Sequence, residues 1–185
     1  MTKFSVRLGI VPKIITVACF IIMSFALIKL TQVLLEGGFN IVYLSVIILL
    51  LISIVSPVFT MPVSIYALDD RLLLKKLLGS KTIFYSDIIV AERFSPKSDI
   101  RIFGSGGYWG FFGIFSNPRI GRYTAFVGDY KEAVLIQVAI AGGYKSYVVS
   151  CRNYDEFIML VNNNRDIRTI LSATTATANN YQNEN

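Results

Sequence analysis

The residues that could perform chemistry are few and scattered along the chain. There is no histidine, which excludes the commonest general base, the Ser-His and Cys-His catalytic pairs, and the usual nitrogen ligands of zinc. Neighbouring carboxylates occur in three places, each explained by a turn or a helix cap: Asp69-Asp70, Asp129 with Glu132, and Asp155-Glu156. We therefore predict no catalytic residues, no metal site and no cofactor.

The two cysteines, Cys19 and Cys151, lie far apart and form neither a CxxC motif nor a metal-ligand cluster. Cys151 follows a predicted strand and precedes a predicted helix, where a thiolate could be stabilised. A small buried residue at a strand end is the favoured alternative.

The segment FGSGGYWGFFGIFSN, residues 103–117, is the most unusual stretch, because five of the ten residues from Gly104 to Gly113 are glycine. A phosphate-binding GxGxxG motif would need glycine at position 109, which is Trp109, the only tryptophan. A Walker loop would need a lysine, and none occurs between Lys97 and Lys131. The segment is therefore not predicted to bind a nucleotide.

Three interpretations of this segment remain open: tight structural packing, a protein contact or self-association, and contact with a membrane surface. The candidate contact residues are aromatic side chains with flanking arginines: Arg101, Tyr108, Trp109, Phe111, Phe112, Arg119 and Arg122. The glycines that would shape the segment are Gly104, Gly106, Gly107, Gly110 and Gly113.

Two long apolar runs near the N-terminus predict a transmembrane helical hairpin. Hydrophobic residues make up 54% of the chain and charged residues only 16%, which is too apolar for an ordinary soluble domain. The predicted spans are residues 14–35 and 41–60, each long enough to cross a bilayer. The first run continues past the weak cleavage signals within it, so we expect an uncleaved anchor.

The charges that flank the spans predict their orientation. Lys3, Arg7 and Lys13 precede the first span, and Arg71, Lys75 and Lys76 follow the second. By the positive-inside rule, both termini are predicted to be cytoplasmic, with the short turn outside.

After the spans, the pattern changes to short strands separated by turn signals. Seven strands are predicted, with the Gly142-Gly143 hairpin the clearest: residues 63–68, 71–78, 81–85, 87–94, 120–127, 133–141 and 144–150. An amphipathic helix follows, with Asn153 as its cap, Glu156 as its capping-box partner, and Phe157 and Val161 on its apolar face. Residues 172–185 are polar and predicted to be a disordered tail.

Three stretches resemble the bacterial pleckstrin-homology-like (PH-like) proteins, small membrane proteins with two N-terminal spans and one such domain. They are LDDRLLLKK at residues 68–76, FYSDI at 84–88, and RIFGSGGYWGFFGIFSNPRIGRYTAFVGD at 101–129. The resemblance implies a PH-like domain over residues 61–171, following an N-terminal membrane segment, residues 1–60. It implies a bent β-barrel of about seven antiparallel strands capped by the C-terminal helix.

The resemblance leaves the ligand open, because one fold hosts many functions. In lipid-binding PH domains, the loop after the first strand is basic, whereas here it is the acidic Asp69-Asp70. We predict a non-enzymatic adaptor or scaffold on the cytoplasmic face of a bacterial inner membrane, binding the bilayer and either a membrane protein partner or itself, and no nucleic acid. The alternative is a lipid-sensing module that uses residues 103–117.

Overall fold

The computed structural model describes residues 1–37 and 40–167. Within them, ten strands form two sheets, accompanied by three α-helices. The helices are α1 (Ile10–Glu36), α2 (Ile41–Thr60) and α3, which covers 154–167. The strands are β1 (Thr2–Ser5), β2 (Pro62–Ala67), β3 (Arg71–Lys76), β4 (Ser80–Phe84), β5 (Ile88–Arg93), β6 (Ile100–Gly107), β7 (Gly110–Asn117), β8 (Gly121–Val127), β9 (Ala133–Ile140) and β10 (Gly143–Ser150).

The helices α1 and α2 leave the domain and return to it. α1 has 27 residues, so it is about 40 Å long, and it is apolar on all sides. Among the described residues it is the one helix long and apolar enough to cross a membrane. The apolar part of α2 is shorter, Ile41–Ser56, so a second span is not established by length and composition.

The smaller sheet has the strand order β1-β2-β3-β4. Its first strand comes from the extreme N-terminus, which the sequence analysis treated only as a charged flank. β1 runs antiparallel to β2, with Phe4 opposite Ile65, and the Phe4 ring meets the Phe157 ring edge-on at 5.2 Å. The chain therefore enters and leaves the helical hairpin through adjacent strands of one sheet.

The larger sheet has the order β5-β9-β10-β8-β7-β6. All its pairs are antiparallel except β8 with β10, which are parallel. The predicted strands all occur, but the prediction of a bent β-barrel of about seven antiparallel strands is wrong. The described strands form two sheets that do not close into a barrel, and β5 and β6 are the outer strands of the larger one. The additional strands are β1, β6 and β7, and the glycines in β6 and β7 hide the alternation that would reveal a strand.

The main core lies on one face of the larger sheet and includes side chains from the smaller sheet and from α3. Phe126, Val149 and Ile136 contribute from the larger sheet, and Leu72 from the smaller one. Alternating neighbours such as Val127 and Val148 form a second cluster on the opposite face.

The C-terminal helix is confirmed, and Phe157 and Val161 are fully buried on its inner face. Asn153 adopts a φ of 61°, and its amide donates to the Glu156 carboxylate at 3.4 Å. The predicted polar tail lies outside the described residues.

Candidate functional site

The glycine-rich segment forms the β6–β7 hairpin, with Tyr108 and Trp109 at its tip. Gly107 and Gly110 are the last paired residues, and Trp109 adopts a φ of 58°, a conformation that is costly for a residue with a side chain. The Ser105 Oγ lies 2.6 Å from the Tyr108 carbonyl oxygen and 3.0 Å from that of Gly110. The tip is thus held in a strained conformation by contacts within the hairpin.

The tip also contacts both N-terminal helices. The backbone N–H of Trp109 donates to the Thr16 Oγ1 at 2.9 Å, and the Thr16 hydroxyl donates to the Pro12 carbonyl at 2.7 Å. The Tyr108 hydroxyl donates to the Ile54 carbonyl at 3.2 Å. Thr16 is near the start of α1 and Ile54 near the end of α2, so the tip fastens the domain to the two helix ends nearest to it.

The aromatic residues of the segment have three kinds of surroundings, and Phe103 alone among them is largely exposed. Phe112 and Phe115 are buried, and Phe111 packs against Tyr130 with ring centroids 4.7 Å apart. Tyr108 and Trp109 are half-buried against the helices. Most of the aromatic side chains therefore serve packing, which was the first interpretation of the segment.

The predicted arginines point to different surroundings. Arg119 forms an exposed ion pair with Glu92 at 3.0 Å, and Arg122 is exposed on β8. Arg101 lies over Gly106, where an added Cβ would come 2.9 Å from the Arg101 Nη1. Only Arg101 among these three lines the cavity described next.

A groove of about 670 Å³ lies between the helices and the sheet. Its helical wall includes Ile15 and Cys19 of α1 and Ser56 of α2. Its sheet wall is formed by β6, β7 and β8 with Lys76 of β3, and comprises Lys76, Arg101, Phe103, Gly104, Ser105, Gly106, Tyr108, Phe112, Gly113, Thr124 and Phe126. Phe126 also belongs to the main core, so the groove continues the core beyond the edge of the smaller sheet.

The charges of the groove are positive. The Lys76 Nζ lies 5.0 Å from the centre of the Phe126 ring, which is a cation–π distance. No carboxylate lines the groove, and within residues 1–37 and 40–167 neither Lys76 nor Arg101 forms an ion pair. The groove is therefore an apolar cleft with two cations available to an anion.

The groove brings together Arg101, Tyr108, Phe112 and three of the predicted glycines, Gly104, Gly106 and Gly113, whereas sequence reasoning missed the opposite wall. Ile15, Cys19 and Ser56 looked like ordinary span residues, and Lys76 looked like a solvated strand end. No local signal marks them, because the groove depends on how distant elements pack.

A cluster of hydrogen-bonded polar side chains lies beside the second hydrophobic cluster. The Tyr123 hydroxyl bonds to the Asp99 carboxylate and lies 3.2 Å from the Tyr130 hydroxyl, while the Asn117 amide donates to the same carboxylate. Burial, followed by the hydrogen bond to Asp99, raises the pKa of Tyr123 above its usual value. Burial likewise raises the pKa of Tyr130 to about 12. These groups satisfy one another and stabilise the fold.

Cys151 is fully buried. Burial, and then the nearby charge of Glu132, raises its pKa to about 12, which disfavours the thiolate. The hypothesis of a stabilised thiolate at Cys151 is therefore wrong, because the side chain is buried at the strand end and has no contact with water. Among the residues that the structure describes, no group of three or more His, Cys, Asp or Glu side chains could hold a metal ion.

The outer strand β6 carries exposed apolar side chains. Ile100 is 69% exposed and Phe103 is 74% exposed, and Ile102 and Ile114 are also exposed. Three of them lie on β6, and Ile114 lies on β7 opposite Phe103, which also lines the groove. We call these four residues the β6 edge. No other strand in the described part of the chain pairs with the outer side of β6.

Comparison with known proteins identifies the domain. The bacterial PH domain family matches residues 64–164, which span β2 to α3, whereas β1 and the two helices precede the match. No curated protein and no solved structure matches the chain. PH domains are in general non-catalytic modules that bind proteins or lipids, and no enzymatic family is indicated. Since the match covers more than half of the chain, this protein belongs to the bacterial PH domain family.

Proposed function

We propose that this protein is a membrane-anchored, non-enzymatic adaptor on the cytoplasmic face of a bacterial inner membrane. The observation that carries the proposal is the attachment of the β6–β7 hairpin to both helices through Trp109–Thr16 and Tyr108–Ile54. A domain joined to its helices only by a linker would turn freely. This domain is held in one orientation, so one surface is presented consistently to a partner in or beside the membrane.

The sheet topology supports a second membrane crossing. β1 precedes α1, β2 follows α2, and the two strands are hydrogen-bonded neighbours. If α1 crosses the bilayer, α2 must return the chain to the same side. With 20 residues, α2 is about 30 Å long, which equals the thickness of the hydrocarbon core.

The distribution of positive charge supports a cytoplasmic domain. Lys3, Arg7, Lys13, Lys75 and Lys76 all lie near the ends of the helices that meet the domain. Clusters of Lys and Arg beside spans are retained on the cytoplasmic side, where they also meet anionic lipids.

The β6 edge supports a protein partner. An outer strand with unpaired backbone groups can accept a further strand, and exposed apolar side chains add contact area. Isolated exposed apolar residues are common, but these four lie close together on two paired strands, with Phe103 directly opposite Ile114. The partner is accordingly a membrane-associated protein that offers an extended segment, or a second copy of this chain.

A photo-crosslinking experiment tests the partner surface. A photoreactive amino acid is placed at Ile102, with a control at Tyr144, which is similarly exposed but lies at the start of β10, away from β6. We expect one product of defined mass from position 102 in intact membranes, and its loss when Ile100→Asp places a charge on the same strand. A monomer that forms no product from position 102, or equal products from both positions, would contradict the adaptor function.

A labelling experiment tests the anchor. In a Cys19→Ser background, Glu36→Cys and Lys145→Cys are treated in whole cells with a thiol reagent that cannot cross membranes. We expect labelling at position 36 only. Labelling at position 145 would reverse the orientation, and extraction of the protein from membranes by alkaline carbonate would exclude membrane spanning.

A further inference from the structure

We propose that the groove between the helices and the β6–β7 hairpin binds one anionic phospholipid, with its phosphate at Lys76 and Arg101 and its acyl chains along Ile15, Cys19, Phe112 and Phe126. The inference rests on the proposed membrane anchoring, and extends it from an anchored domain to one with a specific lipid site.

The position of the groove along α1 favours a lipid over a soluble ligand. Cys19 lies nine residues beyond the start of α1 at Ile10, which is about 14 Å along the helix axis. The groove therefore extends from the end of the helix that meets the domain toward the part that would lie in the bilayer. A lipid enters such a groove sideways, whereas a soluble ligand would have to displace lipid from it.

The walls of the groove match the two parts of a phospholipid. Ile15, Phe112 and Phe126 supply apolar surface, which suits acyl chains. Tyr108 also lines the groove, and its hydroxyl donates to the Ile54 carbonyl. The volume of about 670 Å³ is within the range of small-molecule sites, enough for a headgroup and the upper segments of the chains.

The two cations in the groove favour an anionic headgroup over a zwitterionic one. Lys76 and Arg101 line the groove without a carboxylate partner among the described residues, so a zwitterionic headgroup would leave positive charge uncompensated. A phosphate with no compensating amine is attracted by both cations. Arg101 offers a planar pair of donors suited to phosphate oxygens. Its guanidinium has room because Gly106 has no side chain.

Trp109 offers a direct measurement, because it is the only tryptophan and its ring lies 6.4 Å from that of Tyr108, which lines the groove. The full chain is reconstituted in vesicles of phosphatidylcholine with a minor fraction of phosphatidylglycerol. Bromine is carried on the chains of one lipid or of the other, at equal total bromine. We expect stronger quenching of Trp109 by brominated phosphatidylglycerol than by brominated phosphatidylcholine.

Amino-acid substitutions test whether the preference for phosphatidylglycerol depends on the groove. The double variant Lys76→Gln with Arg101→Gln should lose it, with about a fivefold decrease in relative affinity for each cation removed. The control Lys145→Gln with Arg152→Gln makes the same change in net charge at exposed positions outside the groove and should keep it. Gly106→Ala keeps every charge but displaces the Arg101 guanidinium, and should weaken the preference without unfolding the domain, because Gly106 needs no positive φ.

Three results would contradict the lipid site. Equal quenching by the two lipids in the unmodified chain overturns it, as does a preference that survives the double variant or disappears equally in the control. Flotation with the vesicles distinguishes failure of the lipid site from failure of the membrane anchoring. A chain that does not insert contradicts both, whereas an inserted chain without lipid preference contradicts only the lipid site. Circular dichroism of each variant confirms that a lost preference is not lost folding.

Discussion

Gly104 and Gly113 face each other across the β6–β7 ladder, and neither position has room for a side chain. A Cβ on Gly104 would lie 2.1 Å from the Phe112 carbonyl oxygen, and a Cβ on Gly113 would lie 2.2 Å from that of Phe103. Both glycines also have positive φ, 109° and 116°. This close approach of two backbones shapes the hairpin that forms one wall of the groove and reaches the helices.

Gly104→Ala or Gly113→Ala should destabilise the domain by about 2–5 kcal/mol, the sum of the cost of positive φ and of overpacking. Gly121→Ala is the matched control, because Gly121 also has positive φ, 70°, but has no atom within 4 Å of an added Cβ. It should cost only about 1–2 kcal/mol. Denaturant unfolding followed by Trp109 fluorescence measures all three, and equal losses would show that the close approach is not what requires glycine.

Thr16→Val should release the hairpin tip from α1. The substitution keeps the side-chain shape but removes the acceptor of the Trp109 N–H, whose loss costs on the order of 1 kcal/mol. Hydrogen exchange of the Trp109 amide should therefore accelerate about fivefold. Thr16→Ser keeps the hydroxyl and should exchange like the unmodified chain; similar acceleration in both variants would mean that the methyl contact, and not the hydrogen bond, holds the tip.

The strands of the domain were largely readable from the sequence, because alternating apolar residues bounded by turn signals have one physical explanation. β1 was not, since TKFS is only four residues long and resembles the charged flank of a span. β6 and β7 were not, because glycine supplies no side chain to alternate. In each case the neighbouring strand decides the structure, and local preference does not.

The groove lay further beyond sequence reasoning. Its walls come from α1, α2, β3 and β6 to β8, which are far apart in the chain, and no turn signal indicates that they meet. Arg101 and the glycines could be named as candidates because they are close in the chain. Lys76 and Cys19 could be placed beside them only by the fold.

Tyrosine ionisation should make the fold sensitive to alkali. The pKa of Tyr85 is raised from 10.0 to about 12, first by burial and then by the charges of Asp69 and Asp70, and that of Tyr130 is also raised to about 12, mainly by burial. The unfolded chain loses these protons near pH 10 while the folded chain keeps them, so the unfolded state is favoured as pH rises. Stability from these groups is complete below pH 10 and should decline between pH 10 and about 12.

Denaturation midpoints across this pH range measure the decline, and tyrosinate absorbance reports ionisation directly. Tyr130→Phe should reduce the slope of stability against pH, because one linked proton is removed. A slope unchanged in Tyr130→Phe would mean that this hydroxyl ionises equally in both states, and would contradict its burial beside Phe111 and Tyr123.

Cys151 should be unreactive toward alkylating reagents while the protein is folded. Cys19 is half-buried in α1, whereas Cys151 is fully buried with its pKa raised from 9.0 to about 12, a change that lowers the thiolate fraction roughly thousandfold at neutral pH. Alkylation of the reconstituted protein with N-ethylmaleimide should leave Cys151 unmodified when folded and modify it when denatured, and the Cys19→Ser variant isolates this residue from the cysteine in the predicted span. Cys19→Ser should therefore be unmodified until it unfolds. Rapid modification of the folded Cys19→Ser protein would place an accessible thiolate at Cys151, and would restore the reactive-cysteine hypothesis that burial of this residue excludes.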